Sequence, residues 1–173
     1  NNETGVVNDL NEVAAVLAES GTDAVLHSDA VAATAWLDLS KAASPASLVS
    51  ISAHKVGGPK GVGVLVARAN AALAPIITGG GQERERRSGT PDVAGAVAFA
   101  AALSAAVAER DALTVRITAQ ADRLRSGLFS SIPGLVETVA DVTPPERTPG
   151  TLHLCVPGVD REALLFLLDQ HGV

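Results

Sequence analysis

The chain has 173 residues, 47% hydrophobic and 18% charged, with a formal net charge of -6. That balance describes a globular, water-soluble chain rather than a disordered one, and no uninterrupted apolar run approaches the ~20 residues that cross a bilayer, so neither a membrane span nor a membrane partner is expected. One Trp, three Phe and no Tyr offer few platforms for stacked bases, which on an acidic chain argues against direct nucleic-acid binding. A single cysteine, Cys155, excludes an internal disulfide and any multi-cysteine metal cage, and a reducing cytoplasm is the expected compartment. The absence of Met and an opening at Asn1-Asn2-Glu3, without a charged and apolar leader, suggest a piece of a longer protein.

Asp9-Leu10-Asn11-Glu12 has capping-box spacing, with Leu10, Val13, Val16 and Leu17 on one face, and predicts a helix closed by Gly21. Apolar runs at 24–27 and 48–52, each bounded by Gly, Pro, Ser or Asp, predict two strands. A third, at 62–67, follows the turn Gly57-Gly58-Pro59-Lys60-Gly61. Segment 79–90, rich in Gly and Arg and without periodicity, reads as a loop. Ala- and Leu-rich stretches at 93–108 and 113–130 predict two helices with a turn near Arg110. After Pro133-Gly134 come a strand at 135–139, a Pro-rich loop at Pro144-Pro145, a strand at 152–156 and a helix over 160–170. The alternation of strands and helices defines an α/β layer, followed by part of a smaller α+β unit.

In α/β sheets ligands gather beyond the carboxyl ends of strands, where Asp29 and the segment from Ser52 to Lys55 fall. A lysine beside His54 and ahead of a rigid Gly/Pro turn suits a nucleophilic amine in a partly desolvated pocket, although a His-Lys pair in a loop is more often solvated surface. Asp29 could pair with a cationic ring nitrogen or simply cap the next segment. No phosphate-binding P-loop is present, because Lys60 precedes Gly61 rather than Ser or Thr, and no GxGxxG follows a strand.

Five segments occur in order: Asn1-Asn2-Glu3-Thr4-Gly5-Val6-Val7, His27-Ser28-Asp29-Ala30, Ser52-Ala53-His54-Lys55, Gly57-Gly58-Pro59-Lys60-Gly61-Val62-Gly63, and Gly79-Gly80-Gly81-Gln82-Glu83-Arg84 with Arg87-Ser88-Gly89-Thr90. This ordered set resembles the cysteine desulfurases, pyridoxal-phosphate enzymes of the aminotransferase class V group with the fold-type I architecture, over essentially the whole chain. The resemblance implies the C-terminal part of a cofactor-binding large domain with a mainly parallel sheet at 1–110 and the start of a small C-terminal α+β domain at 111–173. It implies that Lys55 forms the Schiff base with pyridoxal 5'-phosphate and moves the substrate Cα proton, and that Asp29 keeps the pyridine nitrogen protonated. Asn2 would lie beside the cofactor's phenolic oxygen, and Ser52 and His54 would bind its phosphate. Thr90 would reach the phosphate in the partner subunit, which implies a homodimer. His27 occupies a conspicuous motif position with no role assigned.

The implied reaction converts L-cysteine to L-alanine and an enzyme-bound persulfide, passed on to an iron-sulfur scaffold or a tRNA-thiolation enzyme. Where the family usually has Gln after the aspartate, this chain has Ala32. The family's ring-stacking histidine and several phosphate ligands belong to sequence ahead of Asn1, and its persulfide-forming cysteine to a loop after Val173, so the chain alone is expected to be inactive. Cys155 is expected to be a small buried core residue. Two other readings remain open from the sequence: a further class V enzyme such as a selenocysteine lyase or aminotransferase, and a catalytically dead interaction protein.

Overall fold

Asp9 opens α1 (Leu10–Glu19) by accepting the Asn11 backbone N–H on its side chain, which satisfies one of the helix's orphan donors. Leu10 packs against the core, whereas Val13 and Val16 are exposed, so the predicted apolar face is only partly used. The structure, a computed structural model, describes residues 1–68, 71–142 and 146–173; the expected loop at Pro144-Pro145 lies outside them. Two compact units emerge, 8–113 and a second made of 1–7 with 114–173.

In the unit 8–113, β1 (His27–Asp29) pairs in parallel with β2 (Leu48–Ser52), and β2 pairs antiparallel with β3 (Gly63–Ala67). The sheet is therefore mixed in direction, in the order β1-β2-β3. β1 begins three residues later than the apolar run predicts, at the point where the Leu26 carbonyl accepts the Ser47 and Leu48 N–H groups and pairing with β2 starts. Short α2 (Leu39–Ala42), capped by Asp38, crosses between the parallel strands. Val49 alternates onto the buried face and joins Ala30, Ala43 and Ala46, with Leu26, Leu39 and Ile51 packed around them. The core is thus built largely from alanine, which lets α2 and the turn after β1 approach the sheet closely.

The two helices expected around Arg110 are one, α3 (Val93–Ser131). Glu109, Arg110 and Asp111 include neither Gly nor Pro, and the Arg110 Nε–H donates to the Ala35 carbonyl at 3.3 Å, so the polar stretch has a tertiary partner instead of breaking the helix. At 39 residues α3 is long and apolar enough to cross a membrane by length and composition only, a test that the core helix of a soluble protein also passes. The polar break at 109–111 conceals the length of the helix in the sequence.

In the second unit, β4 (Val136–Glu137) pairs antiparallel with β5 (Leu154–Cys155), shorter than the strands expected at 135–139 and 152–156. Asp160 caps α4 (Arg161–Gln170) by accepting the N–H groups of Glu162 and Ala163. The Asn1–Val7 segment belongs to this unit, with Val6 bridged antiparallel to Arg147.

Candidate active site

The parallel register sets Asp29 opposite Ser50, so Asp29 closes β1 and Ser52 closes β2 on neighbouring strands at the same end of the sheet. With strands about 4.8 Å apart and a rise of about 3.3 Å per residue, the Asp29 and Ser52 Cα atoms are about 8 Å apart. Side-chain alternation puts His27, Asp29, Ser50 and Ser52 on one face and the core residues Val49 and Ile51 on the other. The polar face is the open one: His27 and Asp29 are exposed and Ser50 and Ser52 half-buried.

Lys55 follows directly. The chain leaves β2 into a one-turn 3-10 helix, Ala53–Val56, pinned at both ends. Fully buried Ala53 donates its N–H to Val62 and accepts the Gly58 N–H at 2.9 Å. Gly57 takes φ +80, a conformation costly for other residues, and a Cβ on Gly58 would stand 2.9 Å from the Ala53 Cβ. These two glycines fold the loop back so that His54 and Lys55 project from its exposed side. Ser52 Oγ and His54 Nδ1 are 2.7 Å apart, fixing the imidazole against the strand end.

The groups differ in how much of their bonding capacity is used. Asp29 accepts only the Val31 N–H, at 3.0 Å on one oxygen, and no cation pairs with it among the described residues. The Lys55 amine likewise has no ion-pair partner among them. His27 Nε2 lies 2.8 Å from Ser50 Oγ, a contact that gives His27 a structural partner and brings in Ser50, which sequence reasoning missed. The signal was its spacing, two residues ahead of Ser52 on the same face.

The remaining predicted residues stand apart. Thr90 is exposed in the loop before α3, and no hydrogen bond or ion pair among the described residues joins it to Asp29 or Lys55. That loop contains Glu83, Arg84 and Glu85 at φ 51, 57 and 65, three consecutive non-glycine residues in the left-handed region. Asn2 is exposed in the turn of the Asn1–Val7 segment, in the other unit. Cys155 is exposed and not a core residue: it pairs with Val136, itself 55% exposed, while the buried face of this hairpin carries Leu154 and Glu137. Its sulfur lies 3.8 Å from Thr138 Oγ1.

A carboxylate at the end of β1 and an amine in the turn after β2, neither with an ion-pair partner among the described residues, together with the paired Ser52 hydroxyl and His54 imidazole, form a donor set suited to a pyridine aldehyde phosphate. A carboxylate stabilises a protonated ring nitrogen, an amine condenses with an aldehyde, and the hydroxyl and imidazole N–H can donate to phosphate oxygens. The aminotransferase class-V family matches the chain over residues 1–173, and the chain belongs to it. Pyridoxal 5'-phosphate is the cofactor of that family.

Among curated proteins, the IscS-like cysteine desulfurase of Mycobacterium tuberculosis (strain ATCC 25618 / H37Rv) is 40% identical over 173 residues, covering 100% of this chain and 43% of its own. The cysteine desulfurase IscS of Anaeromyxobacter dehalogenans (strain 2CP-C) is 41% identical over 175 residues, covering 100% of this chain and 42% of its own. The chain thus spans less than half the length of these relatives. Among solved structures, a NifS-like protein superposes with a TM-score of 0.88 at 33% identity over 100% of this chain and 46% of that one. DndA from Streptomyces lividans gives a TM-score of 0.78 at 35% identity over 98% and 47%. The fold is that of the fold-type I pyridoxal-phosphate enzymes.

Proposed function

We propose that the whole protein carrying this sequence is a cysteine desulfurase that removes sulfur from L-cysteine, leaves L-alanine and passes the sulfur on as a persulfide. The observation that carries this reading is the placement of Asp29 at the end of β1, on an open polar face, and of exposed Lys55 in the turn that leaves the adjacent parallel strand β2. It gains weight from full-length coverage of this chain by relatives bearing that name at 40% and 41% identity.

Pyridoxal phosphate supplies an electron sink for the carbanion that forms when the substrate loses its Cα proton. Asp29, one of whose carboxylate oxygens accepts the Val31 N–H, would keep the ring nitrogen protonated. Lys55, exposed on a short pinned turn, would hold the cofactor's aldehyde carbon and take up the substrate Cα proton on its Nζ. Ser52 and His54, already paired to each other, would bind the phosphate. Asn2 would serve the phenolic oxygen, to which Ala32 would offer no polar group.

The same reading includes a homodimer in which Thr90 serves the partner's site, a cytoplasmic location, and a sulfur acceptor that is an iron-sulfur scaffold or a tRNA-thiolation enzyme. The test is to supply the purified whole protein with pyridoxal phosphate and L-cysteine and quantify alanine and sulfide. Equimolar alanine and reducible sulfur are expected. Alanine formed only from selenocysteine, or transamination without sulfur release, would replace this reading with another class V activity.

A further inference from the structure

Glu137 is a carboxylate that the proposed chemistry does not use, and its side chain is 0% exposed. Arg147, 13% exposed, donates from Nη1 to Glu137 Oε1 at 2.6 Å and also to the Val139 carbonyl at 3.2 Å. Arg125, on α3, brings Nε to 2.6 Å from Oε2, a close ion pair without hydrogen-bond alignment. Well-packed apolar residues commonly stabilise as much as a buried ion network, so what such a network adds is a defined position for the backbone that carries it.

Here that backbone is the segment around Arg147, and what it holds is the Asn1–Val7 strap. Val6 bridges Arg147, the Val7 N–H donates to the Glu146 carbonyl at 2.8 Å, and the Thr148 N–H donates to the Gly5 carbonyl at 2.9 Å. Gly5 is buried at φ +76, and a Cβ there would stand 2.8 Å from Thr148 Oγ1 and from Thr151 Cβ, so the two segments are in close backbone contact. The strap closes on itself as the Gly5 N–H donates to the Asn1 carbonyl and the N–H groups of Glu3 and Thr4 donate to Asn1 Oδ1. Asn2 is carried in that turn.

We propose that Arg125, Glu137 and Arg147 are positioning residues for Asn2: the ion pairs around buried Glu137 fix the segment at 146–148, and that segment fixes the turn presenting the Asn2 amide. The inference rests on reading Asn2 as a cofactor contact.

The test uses the whole protein with Asn2→Ala, Glu137→Gln and the double variant. Hydrogen exchange of the 1–7 strap is followed without cofactor, and the pH at which the visible cofactor band converts is followed with it. Glu137→Gln is expected to speed exchange of the Val7 amide about tenfold while amides of 48–52 keep their rates, because one charge-assisted tie is lost locally. It is also expected to move the band's midpoint in the direction of Asn2→Ala and by at least half as much, with the double variant moving no further than Asn2→Ala alone. An unmoved midpoint in folded Glu137→Gln beside a moved one in Asn2→Ala overturns the triad's role and keeps Asn2 as a cofactor contact. An unmoved midpoint in Asn2→Ala overturns both. If Glu137→Gln does not fold, Arg147→Lys keeps the charge but not the fork geometry and is judged by the same two readouts.

Discussion

In the β1–β2 pair the polar side chains His27, Asp29, Ser50 and Ser52 occupy the open face and Val49 and Ile51 the covered one, whereas in the β4–β5 pair the carboxylate of Glu137 is buried and Val136 faces outward. The first arrangement leaves Asp29 and Lys55 without ion-pair partners among the described residues. The second consumes its carboxylate internally between two arginines. An acidic residue in a strand therefore serves chemistry or architecture according to which face the register gives it and what cations surround it.

The comparison breaks most sharply at Lys55. Lys55→Ala is expected to remove the visible cofactor band and lower desulfuration by about 10²–10⁴-fold, while the melting temperature of the cofactor-free protein is unchanged because the side chain is exposed and has no ion-pair partner among the described residues. A large fall in melting temperature would place Lys55 with the architectural residues. The opposite behaviour is expected of Glu137→Ala, which leaves two arginines facing a buried void: urea unfolding should register a loss of about 3 kcal/mol. Stability within error of the wild type would show that the triad is solvated and holds nothing.

A gain in stability is expected in the loop ahead of Thr90. Glu85 sits at φ 65, where a Cβ is strained, so Glu85→Gly should raise the unfolding free energy by about 1 kcal/mol in chemical denaturation. No gain would mean that the loss of unfolded-state restriction cancels the relief.

The smallest effect concerns the helix caps. Bonding to the Asn11 backbone N–H holds the Asp9 carboxyl below its ordinary 3.8, and the Ser40 hydroxyl does the same for Asp38. The unfolded chain then binds these protons more readily than the folded one, so their contribution is complete above about pH 4 and fades as the pH falls through the lowered values. Replacing both with Asn keeps a capping oxygen and should flatten the melting temperature below about pH 4. An unchanged acid slope would assign it to other carboxylates.

The strand at 48–52, the Asp9 cap and the helix over 160–170 were legible because each is signalled within a few neighbouring residues. The candidate site was legible for the same reason in Ser52, His54 and Lys55, which are nearly adjacent in sequence and held by a glycine turn. The His27–Ser50 pair was not, since it joins residues 23 apart and depends on the parallel register. The continuity of α3 was hidden because Arg110 finds its partner at Ala35, 75 residues away. Cys155 was misplaced because an apolar strand sequence does not state which of its faces is covered.

By itself, the sequence determined the family, the strand-turn-lysine segment and the identity of the groups offered to a cofactor, since side-chain chemistry and glycine-dependent turns are local properties. Only the tertiary structure decided that Asp29 stands opposite Ser50 and shares an open face with Ser52, that Glu137 is buried between Arg125 and Arg147, and that Cys155 faces outward. Strand register and burial are set by contacts between residues far apart in the chain, and a shift of one position would exchange the open and covered faces.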